Sequence, residues 1–236
     1  MEPAVLIGAP IRNMEKTVPL YLEGILGLEY PKKRIALMWI LNDSEDTSAQ
    51  LLQEFKEKHE KKYKRVVITQ MDFGAPRDEK LAQVRYAGEN LWGTIDSMAR
   101  GKNVLKDNIE PDEQYLFYVE GDVILKKDCL KKLLAHQRPI VGAMVKTGDM
   151  PNCFNILRFD SALDCFTRDS LDIPDVLSLV DFISGPVLFR RDILSEIAFG
   201  KMASGEDAMA MRMCAQKNIP VWVDPQITME HLYAMR

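Results

Sequence analysis

The chain has 236 residues, 47% of them hydrophobic, and its formal net charge is −4. This length and composition allow one sizeable buried core. The small negative charge provides no long-range attraction to a polyanion, so charge does not argue for a nucleic-acid partner, although it does not exclude one.

Apolar runs in the sequence are short. The stretch that ends at Leu41 is far below the roughly 20 residues that a bilayer-spanning helix needs. The N-terminus enters Ala4-Val5-Leu6-Ile7-Gly8 without a basic segment or a cleavage site. We therefore expect neither a spanning helix nor a secretion signal, and a cytoplasmic location with peripheral attachment to a membrane left open. The four cysteines show no CxxC spacing, which predicts free thiols.

Strands and helices alternate through the first half of the sequence. Short apolar runs predict the strands, and apolar residues at helical spacing predict the helices. This alternation is typical of a mostly parallel sheet covered by helices on both faces, in which ligands bind beyond the carboxyl ends of the strands. The predicted strands are Val5 to Ala9, Ile35 to Leu41, Arg65 to Met71 and Gln114 to Val119; the helices are Thr17 to Leu28, a segment ending near Lys62, and Glu79 to Met98.

The second half of the sequence is less regular. We expect a loop region that follows Met144 and runs through Pro174, rich in Pro, Asn and Asp, and loops of this length often form lids or binding surfaces. The stretch from Gly148 to Asp181 shows no readable pattern. The other predicted elements are helices at Lys127 to His136 and Glu206 to Asn218, and strands at Ile140 to Met144, Val187 to Arg190 and Val221 to Val223.

Two acidic pairs follow predicted structural boundaries. Glu120-Gly121-Asp122 comes directly after a strand, and carboxylates on such a turn suit a divalent cation that grips nucleotide phosphates. Glu206-Asp207 opens a helix, where an acid is favoured by the helix dipole but can also serve as a base. Each pair also has a simpler interpretation as solvated or capping acids.

Histidine is rare in this chain, with three residues in all. His59 and His136 lie on charged helical patterns, which predicts exposure. His231 lies in the C-terminal tail, and because imidazole joins carboxylates around Mn²⁺, it could complete a metal site begun by Asp122.

Taken in order, these stretches resemble the GT-A glycosyltransferases of the large inverting, family 2-like group. Members of that family have a Pro-containing loop after the first strand, an acidic pair after the second, an Arg after the third, an Asp-x-Asp, a Glu-Asp and a late His. The matching stretches here are Ala9-Pro10-Ile11-Arg12-Asn13, Asn42-Asp43-Ser44-Glu45-Asp46, Arg85-Tyr86-Ala87, Glu120-Gly121-Asp122, Glu206-Asp207, and Asp224-Pro225 followed by His231. Two positions depart from the pattern, since Glu120 and Asn42 each replace an Asp.

The resemblance implies a fold and an activity. The fold would be α/β, a GT-A (Rossmann-like) mixed, mostly parallel sheet flanked by helices, in one domain over residues 1–236. About 1–125 would form the nucleotide-binding half and about 126–236 the acceptor-binding and catalytic half. The activity would be transfer of a sugar from a nucleoside-diphosphate sugar to an acceptor hydroxyl, with inversion and with Mn²⁺ or Mg²⁺. We expect a UDP-sugar first and a GDP-sugar next, although no motif separates them.

The resemblance also implies a role for each matched residue. Asp207 would be the general base, with Glu206 beside it, and Asp122 and His231 would bind the metal. Ser184 and Gly185 would form a small-residue loop near the donor sugar and the acceptor. The residues implied for donor nucleotide binding are Ala9, Pro10, Arg12, Asp43, Arg85, Glu120 and Gly121, with Glu120 on the ribose or a metal-bound water.

Other functions stay open on the same sheet. A retaining glycosyltransferase is one alternative, because Glu206-Asp207 does not fix stereochemistry. A non-catalytic nucleotide- or sugar-binding relative, with Glu120 marking a decayed metal site, is another. A nucleotidyltransferase would want a Gly-rich loop after the first strand, and Gly8-Ala9-Pro10-Ile11-Arg12 is poor in glycine. The sequence names no acceptor.

Overall fold

The computed structural model describes residues 2–74, 89–147, 154–167 and 173–232. In the first half, helices alternate with strands in the predicted order. The elements are β1 (Ala4–Ile11), α1 (Val18–Gly27), β2 (Ile35–Asn42), α2 (Ser48–His59), β3 (Arg65–Met71), α3 (Glu89–Asp107) and β4 (Glu113–Tyr118).

The second half contributes shorter strands and three further described helices. These elements are β5 (Val123–Ile124), α4 (Cys129–Ala135), β6 (Ile140–Val145), β7 (Ile156–Asp160), β8 (Cys165–Thr167), β9 (Ser178–Val180), β10 (Phe182–Ile183), β11 (Val187–Arg190), α5 (Arg191–Leu194), α6 (Asp207–Gln216) and β12 (Val221–His231).

A single mixed sheet forms the centre of the molecule. Its strand order is β3-β2-β1-β4-β11-β6-β12-β5, and β9 pairs separately with β12. The strands β3, β2, β1 and β4 are parallel, whereas β11 is antiparallel to both of its neighbours. The predicted α/β fold with a mixed, mostly parallel sheet is therefore confirmed.

The sheet is buried on both faces because helices cover each of them. Every residue of β1 and β2 is buried, as expected for central parallel strands. Side chains alternate between the faces. Trp39 points towards α1, where its Nε1 donates to the Tyr21 hydroxyl at 3.2 Å, whereas Met38 belongs to the cluster on the α3 side with Leu105.

The carboxyl ends of β1 and β4 part from each other, and this opens a crevice in the sheet. Pairing of β1 with β4 ends at Gly8 and Tyr118, while β1 continues beside β2 as far as Ile11. The Val119 amide donates to the Gly8 carbonyl at 3.2 Å. At Pro10, two residues after Gly8, β4 no longer runs beside β1, so the backbone of Pro10 has no strand to pair with on that side. This explains how a proline, which lacks an N–H donor, is accommodated in a central strand.

At the opposite edge of the sheet, a buried carboxylate joins the starts of β3 and β4. Arg65 donates to both oxygens of Glu113, with Nε at 2.8 Å and Nη2 at 2.9 Å, and Lys64 Nζ lies at 3.1 Å. Burial alone would raise the pKa of Glu113, but the hydrogen bonds from Arg65 hold it below its ordinary value. This network stabilises the sheet away from the crevice.

Two predicted boundaries are wrong. The helix predicted to end at Met98 continues to Asp107. Its last turns are rich in polar residues, but they also carry Ala99 and Leu105, which are buried in the core. The last strand does not end at Val223 but continues to His231. A register shift between Asp224 and Thr228 interrupts the alternation of that strand, which hides it from a sequence pattern.

The prediction of a loop region through Pro174 is also wrong, and the stretch from there to Asp181 contains a further short strand. Within this region, β7 and β8 form a hairpin that pairs with β10 in a small antiparallel sheet, and β9 adds to the edge of β12. The strands are only two to five residues long, so their periodicity is too brief to stand out between turn residues.

Two histidines predicted to be exposed are not. His59 is 9% exposed and packs against the Phe55 ring at a centroid distance of 4.9 Å. His136 Nε2 lies 2.8 Å from Asp224 Oδ2. Both side chains therefore belong to the packed structure and not to a solvated helix face.

The cysteine prediction is confirmed where the structure describes it. Cys129, Cys165 and Cys214 are free thiols, and Cys153 lies outside the described residues. Among the described helices, none is both long and apolar enough to cross a bilayer.

The close approach of Gly8 to neighbouring backbone generates a stability prediction. A Cβ at Gly8 would lie 2.5 Å from the Met38 carbonyl oxygen and 2.7 Å from a Leu105 methyl. Gly8→Ala should therefore lower the unfolding free energy by about 1–3 kcal/mol in urea denaturation, as overpacking does. Gly27→Ala is the matched control, because nothing lies within 4 Å of its Cβ. It should be neutral or stabilise by up to about 1 kcal/mol; equal losses for both variants would contradict the packing argument.

Candidate active site

An acidic turn lies at the crevice, between β4 and β5. Glu120 and Asp122 flank Gly121, and the Val123 amide donates to the Glu120 carbonyl at 3.1 Å to close the turn. A Cβ on Gly121 would lie 2.4 Å from Cδ1 of Ile11. The absence of a side chain therefore lets this turn pack directly on the end of β1.

The last strand brings His231 to the same turn. His231 pairs with Val123 in the antiparallel ladder between β12 and β5, and the Leu232 amide donates to the Asp122 carbonyl at 2.8 Å. As a result, His231 Nε2 lies 3.5 Å from Asp122 Oδ2. The residue predicted to lie in a tail is thus fixed by main-chain hydrogen bonds.

Glu120, Asp122 and His231 form one cluster. Each offers a ligand atom, and these atoms all lie within 4.8 Å of one another. Two carboxylate oxygens and one imidazole nitrogen suit a divalent cation such as Mn²⁺. The structure brings together Asp122 and His231, as predicted for metal ligands, and adds Glu120, which the resemblance assigned to the ribose or a metal-bound water.

The loops after β1 and β2 are tied to each other beside the crevice. The Asn13 amide donates to Ser44 Oγ at 3.2 Å, and the Glu45 amide donates to Asn13 Oδ1 at 2.9 Å. Of the predicted nucleotide-binding residues, Ala9 and Pro10 are buried within β1 and Arg12 follows it, partly exposed. These loops present polar groups and main chain at the edge where ligands bind in such sheets.

Asp43 lies at the joint ends of β2 and β3. Its backbone adopts a positive φ of 49°, and its Oδ2 accepts a hydrogen bond from the Phe73 amide at 3.2 Å. The side chain is therefore held at the carboxyl edge of the sheet. Arg85, the other predicted contact, lies outside the described residues.

The predicted Ser184-Gly185 loop lies against the acidic turn. A Cβ on Gly185 would lie 2.8 Å from the Tyr118 ring and 3.5 Å from Glu120 Cδ. Asn155 holds the loop, since its Nδ2 donates to the Ser184 carbonyl at 2.7 Å and its own carbonyl accepts from the Ser184 amide at 2.9 Å. The loop thus adjoins Glu120 of the cluster formed with Asp122 and His231.

The second acid pair, Glu206 and Asp207, opens α6 but does not cap it. The side chain of Glu206, which occupies the N-cap position, makes no capping hydrogen bond. Instead, both reach a lysine of α3: Lys102 Nζ lies 2.8 Å from Glu206 Oε1 and 2.6 Å from Asp207 Oδ1. The Asp207 side chain is only 7% exposed.

Sequence reasoning missed Lys102. Its side chain is fully buried, and its Nζ lies 4.0 Å from the centroid of the Tyr118 ring, a cation–π geometry. A signal was available, because Lys102 continues a helical stripe with Ile95, Ala99 and Leu105, all of them buried. A lysine on such an apolar face requires a partner.

Burial and charge together set the ionisation of this cluster. Desolvation raises the pKa of Asp207 to about 6, with Lys102 opposing the rise and Glu206 adding to it. Burial alone would lower the pKa of Lys102, but the Asp207 and Glu206 carboxylates raise it well above its ordinary value. The lysine is therefore an ammonium ion at neutral pH, and Asp207 is poised to exchange a proton near it.

The sheet topology and the family comparison define the class of protein. The mixed, mostly parallel sheet with helices on both faces is the fold of the GT-A glycosyltransferases. The family model named Anp1 matches residues 1–162, more than half of the 236 residues. The chain belongs to the Anp1 family.

Solved structures agree on the fold. S. aureus TarS 1-349 in complex with UDP-GlcNAc aligns with a TM-score of 0.63 at 16% identity, covering 96% of this chain and 58% of that one. The mannosyltransferase PcManGT from Pyrobaculum calidifontis, in complex with GDP-Man and Mn²⁺, aligns with a TM-score of 0.62 at 12% identity, covering 98% and 57%. At these identities the likeness establishes the fold alone.

Curated relatives match part of the chain. A glycosyltransferase 25 family member of Aedes aegypti is 26% identical over 148 residues, which are 61% of this chain and 23% of the relative. The mannan polymerase II complex anp1 subunit of Schizosaccharomyces pombe is 26% identical over 145 residues, 58% of this chain and 34% of the relative. The chain therefore spans about a quarter to a third of the length of these relatives.

The buried Lys102 cluster generates a stability prediction. Lys102→Met leaves two buried carboxylates without their cation and should lower the unfolding free energy by about 3–5 kcal/mol at pH 8. The loss should shrink towards pH 5, because protonation relieves the buried charge. Urea denaturation at both pH values measures it.

Lys106→Met is the matched control for this experiment. Lys106 lies on the same helix, and its ion pair is with Asp107, whose side chain is 67% exposed. It should change stability by less than about 1 kcal/mol. A Lys102→Met loss as small as that of the control, or independent of pH, would contradict the assigned electrostatics.

Proposed function

We propose that this chain is a glycosyltransferase that moves a sugar from a nucleoside-diphosphate sugar to an acceptor hydroxyl, with a divalent metal at the acidic turn. The observation that carries the proposal is the cluster of Glu120, Asp122 and His231 at the carboxyl edge of a GT-A sheet. Membership of the Anp1 family and the glycosyltransferase names of the relatives support it.

Donor binding is proposed for the first half of a single domain, about residues 1–125. Asp43 would contact the base, and Arg12 with the main chain around Ala9 and Pro10 would hold base and ribose. The fold-level neighbours were solved with UDP-GlcNAc and with GDP-Man, which supports a nucleotide-sugar donor without choosing between UDP and GDP. Arg85 retains its proposed place near the base or diphosphate.

The acidic turn would hold the metal. Asp122 and His231 would bind it, with Glu120 close enough to join them, and the donor atoms fit Mn²⁺ or Mg²⁺. Such a metal, when bound, supplies electrostatic stabilisation to the negative charge of the departing diphosphate. Gly185 would leave room beside Glu120 for the donor sugar, since a side chain there would meet Glu120 and Tyr118.

Asp207 would act as the general base in the second half, about residues 126–236. Its carboxylate takes the proton of the acceptor hydroxyl as the acceptor oxygen bonds to the anomeric carbon. The bond from that carbon to the diphosphate oxygen breaks, and its electron pair leaves with the nucleoside diphosphate. Attack from the opposite face gives inversion of configuration. Glu206 lies next to this base, with its Oε1 2.8 Å from Nζ of Lys102.

A retaining transfer is the second candidate, and one observation favours it. Asp207 is nearly buried and its Oδ1 is held by Lys102, an arrangement that limits the access of an acceptor hydroxyl to this carboxylate. Analysis of the product anomer by NMR separates the two, because an inverting enzyme produces the anomer opposite to that of the donor.

The proposed donor and metal site generates a binding prediction. Wild-type protein should be stabilised by one nucleoside diphosphate, and the shift should require Mn²⁺; at 100 times the dissociation constant it amounts to about 2.7 kcal/mol. Asp122→Ala should abolish this shift, whereas Asp207→Asn should retain it. A thermal-shift screen of UDP, GDP, dTDP, CMP and ADP, each with and without Mn²⁺, measures both. If none of the nucleotides stabilised the wild-type protein, the proposed donor site would be wrong.

The proposed role of Asp207 generates a kinetic prediction. Asp207→Asn should lower the transfer rate by about 10²–10⁴-fold while donor affinity stays unchanged, because the amide cannot accept the proton. In the wild type, kcat/KM should fall as pH decreases through about 6, where Asp207 becomes protonated. Steady-state kinetics across pH provide the measurement. An unchanged rate in Asp207→Asn would exclude this base.

A further inference from the structure

Lys102 lies between the acid pair and the rest of the site. Its ammonium contacts Asp207 Oδ1 at 2.6 Å and Glu206 Oε1 at 2.8 Å, and it faces the Tyr118 ring at 4.0 Å. Tyr118 in turn adjoins Gly185, which also lies against Glu120. The lysine is thus the link between the acidic turn and the proposed base.

We infer that Lys102 is a positioning residue for the reaction, whose ammonium keeps the Asp207 carboxylate ionised and fixed in one orientation. This inference rests on the proposed function, in which Asp207 is the base. Lys102 itself is fully buried behind the two carboxylates, so it acts through Asp207 and has no direct contact assigned with substrate.

The helix that carries Lys102 is held rigidly, which the inference requires. Asn103 exchanges two hydrogen bonds with the main chain of Phe199, at 2.9 and 3.1 Å, and this fixes α3 to the segment that leads into α6. One residue before Lys102, Gly101 packs on the Pro10 ring, where a Cβ would lie 2.8 Å from Cγ. The ammonium therefore occupies a fixed point.

The charges around Asp207 determine the direction of the effect. Lys102 from α3 and Glu206 from the start of α6 are its charged contacts, Tyr118 of β4 adds a buried hydroxyl group, and Glu120 acts on Lys102 from beyond it. Lys102 lowers the pKa of Asp207, whereas Glu206 and burial raise it. Removing the ammonium should therefore raise the pKa of Asp207, and the base would be protonated at neutral pH.

The test is a direct titration of Asp207. Protein labelled with ¹³C at the aspartate carboxyl carbons is titrated by NMR, and Asp207→Asn identifies the signal by its loss. In Lys102→Met, the midpoint for Asp207 should rise by at least one pH unit relative to wild type, whereas Lys102→Arg and Lys106→Met should leave it within half a unit. An unchanged midpoint in Lys102→Met would overturn the inference.

A second variant covers the case in which Lys102→Met does not fold. Lys102→Met/Glu206→Gln removes one cation and one anion, so the cluster keeps its net charge and one buried carboxylate in place of two. Because the influence of Lys102 on Asp207 exceeds that of Glu206, the midpoint should still lie above the wild-type value. A midpoint at or below the wild-type value would also overturn the inference.

Kinetics separate this inference from the proposed function. If the NMR midpoint rises in Lys102→Met and the acidic limb of the kcat/KM profile shifts to higher pH with it, the inference about Lys102 and the proposed base are both supported. If the midpoint rises while Asp207→Asn transfers sugar at the wild-type rate, Lys102 sets the ionisation of Asp207 as inferred, but the proposed base is wrong. The titration needs no activity, so it decides the role of Lys102 by itself.

Discussion

The departure of β4 from β1 at Tyr118 is the constraint on which the site depends. Because β4 turns away while β1 continues to Ile11, the sheet opens where the carboxyl ends of its parallel strands meet. The Glu120-Gly121-Asp122 turn forms at that point, and β12 returns antiparallel to β5 to bring His231 beside it. The departure of β4 from β1 therefore produces both the opening in the sheet and the position of the cluster formed by Glu120, Asp122 and His231.

Electrostatics connect this opening to the second half of the fold. Tyr118, the last residue of β4, packs against Gly185 and against the ammonium of Lys102. Lys102 then contacts the acid pair of α6. The cluster of Glu120, Asp122 and His231 and the proposed base Asp207 are thus connected through Tyr118 and Lys102.

The parts predicted from sequence are those with strong local periodicity. The apolar runs of β1, β2 and β3 and the turn at Glu120 needed no tertiary information. The continuation of β12 to His231 was missed, because a bulge at Asp224 breaks its alternation. Lys102 was missed because its meaning depends on Asp207, which lies 105 residues away. Long-range contacts between charged groups leave almost no local trace in a sequence.

That separation has a consequence for how the protein is made. The site is closed by contacts between residues far apart in the chain, and folding slows as such contacts dominate. During synthesis, α3 leaves the ribosome with Lys102 exposed on an apolar face long before α6 can neutralise it. The N-terminal half therefore cannot bury the Lys102 ammonium with its partners, or complete the cluster at the acidic turn, until α6 and β12 have been synthesised.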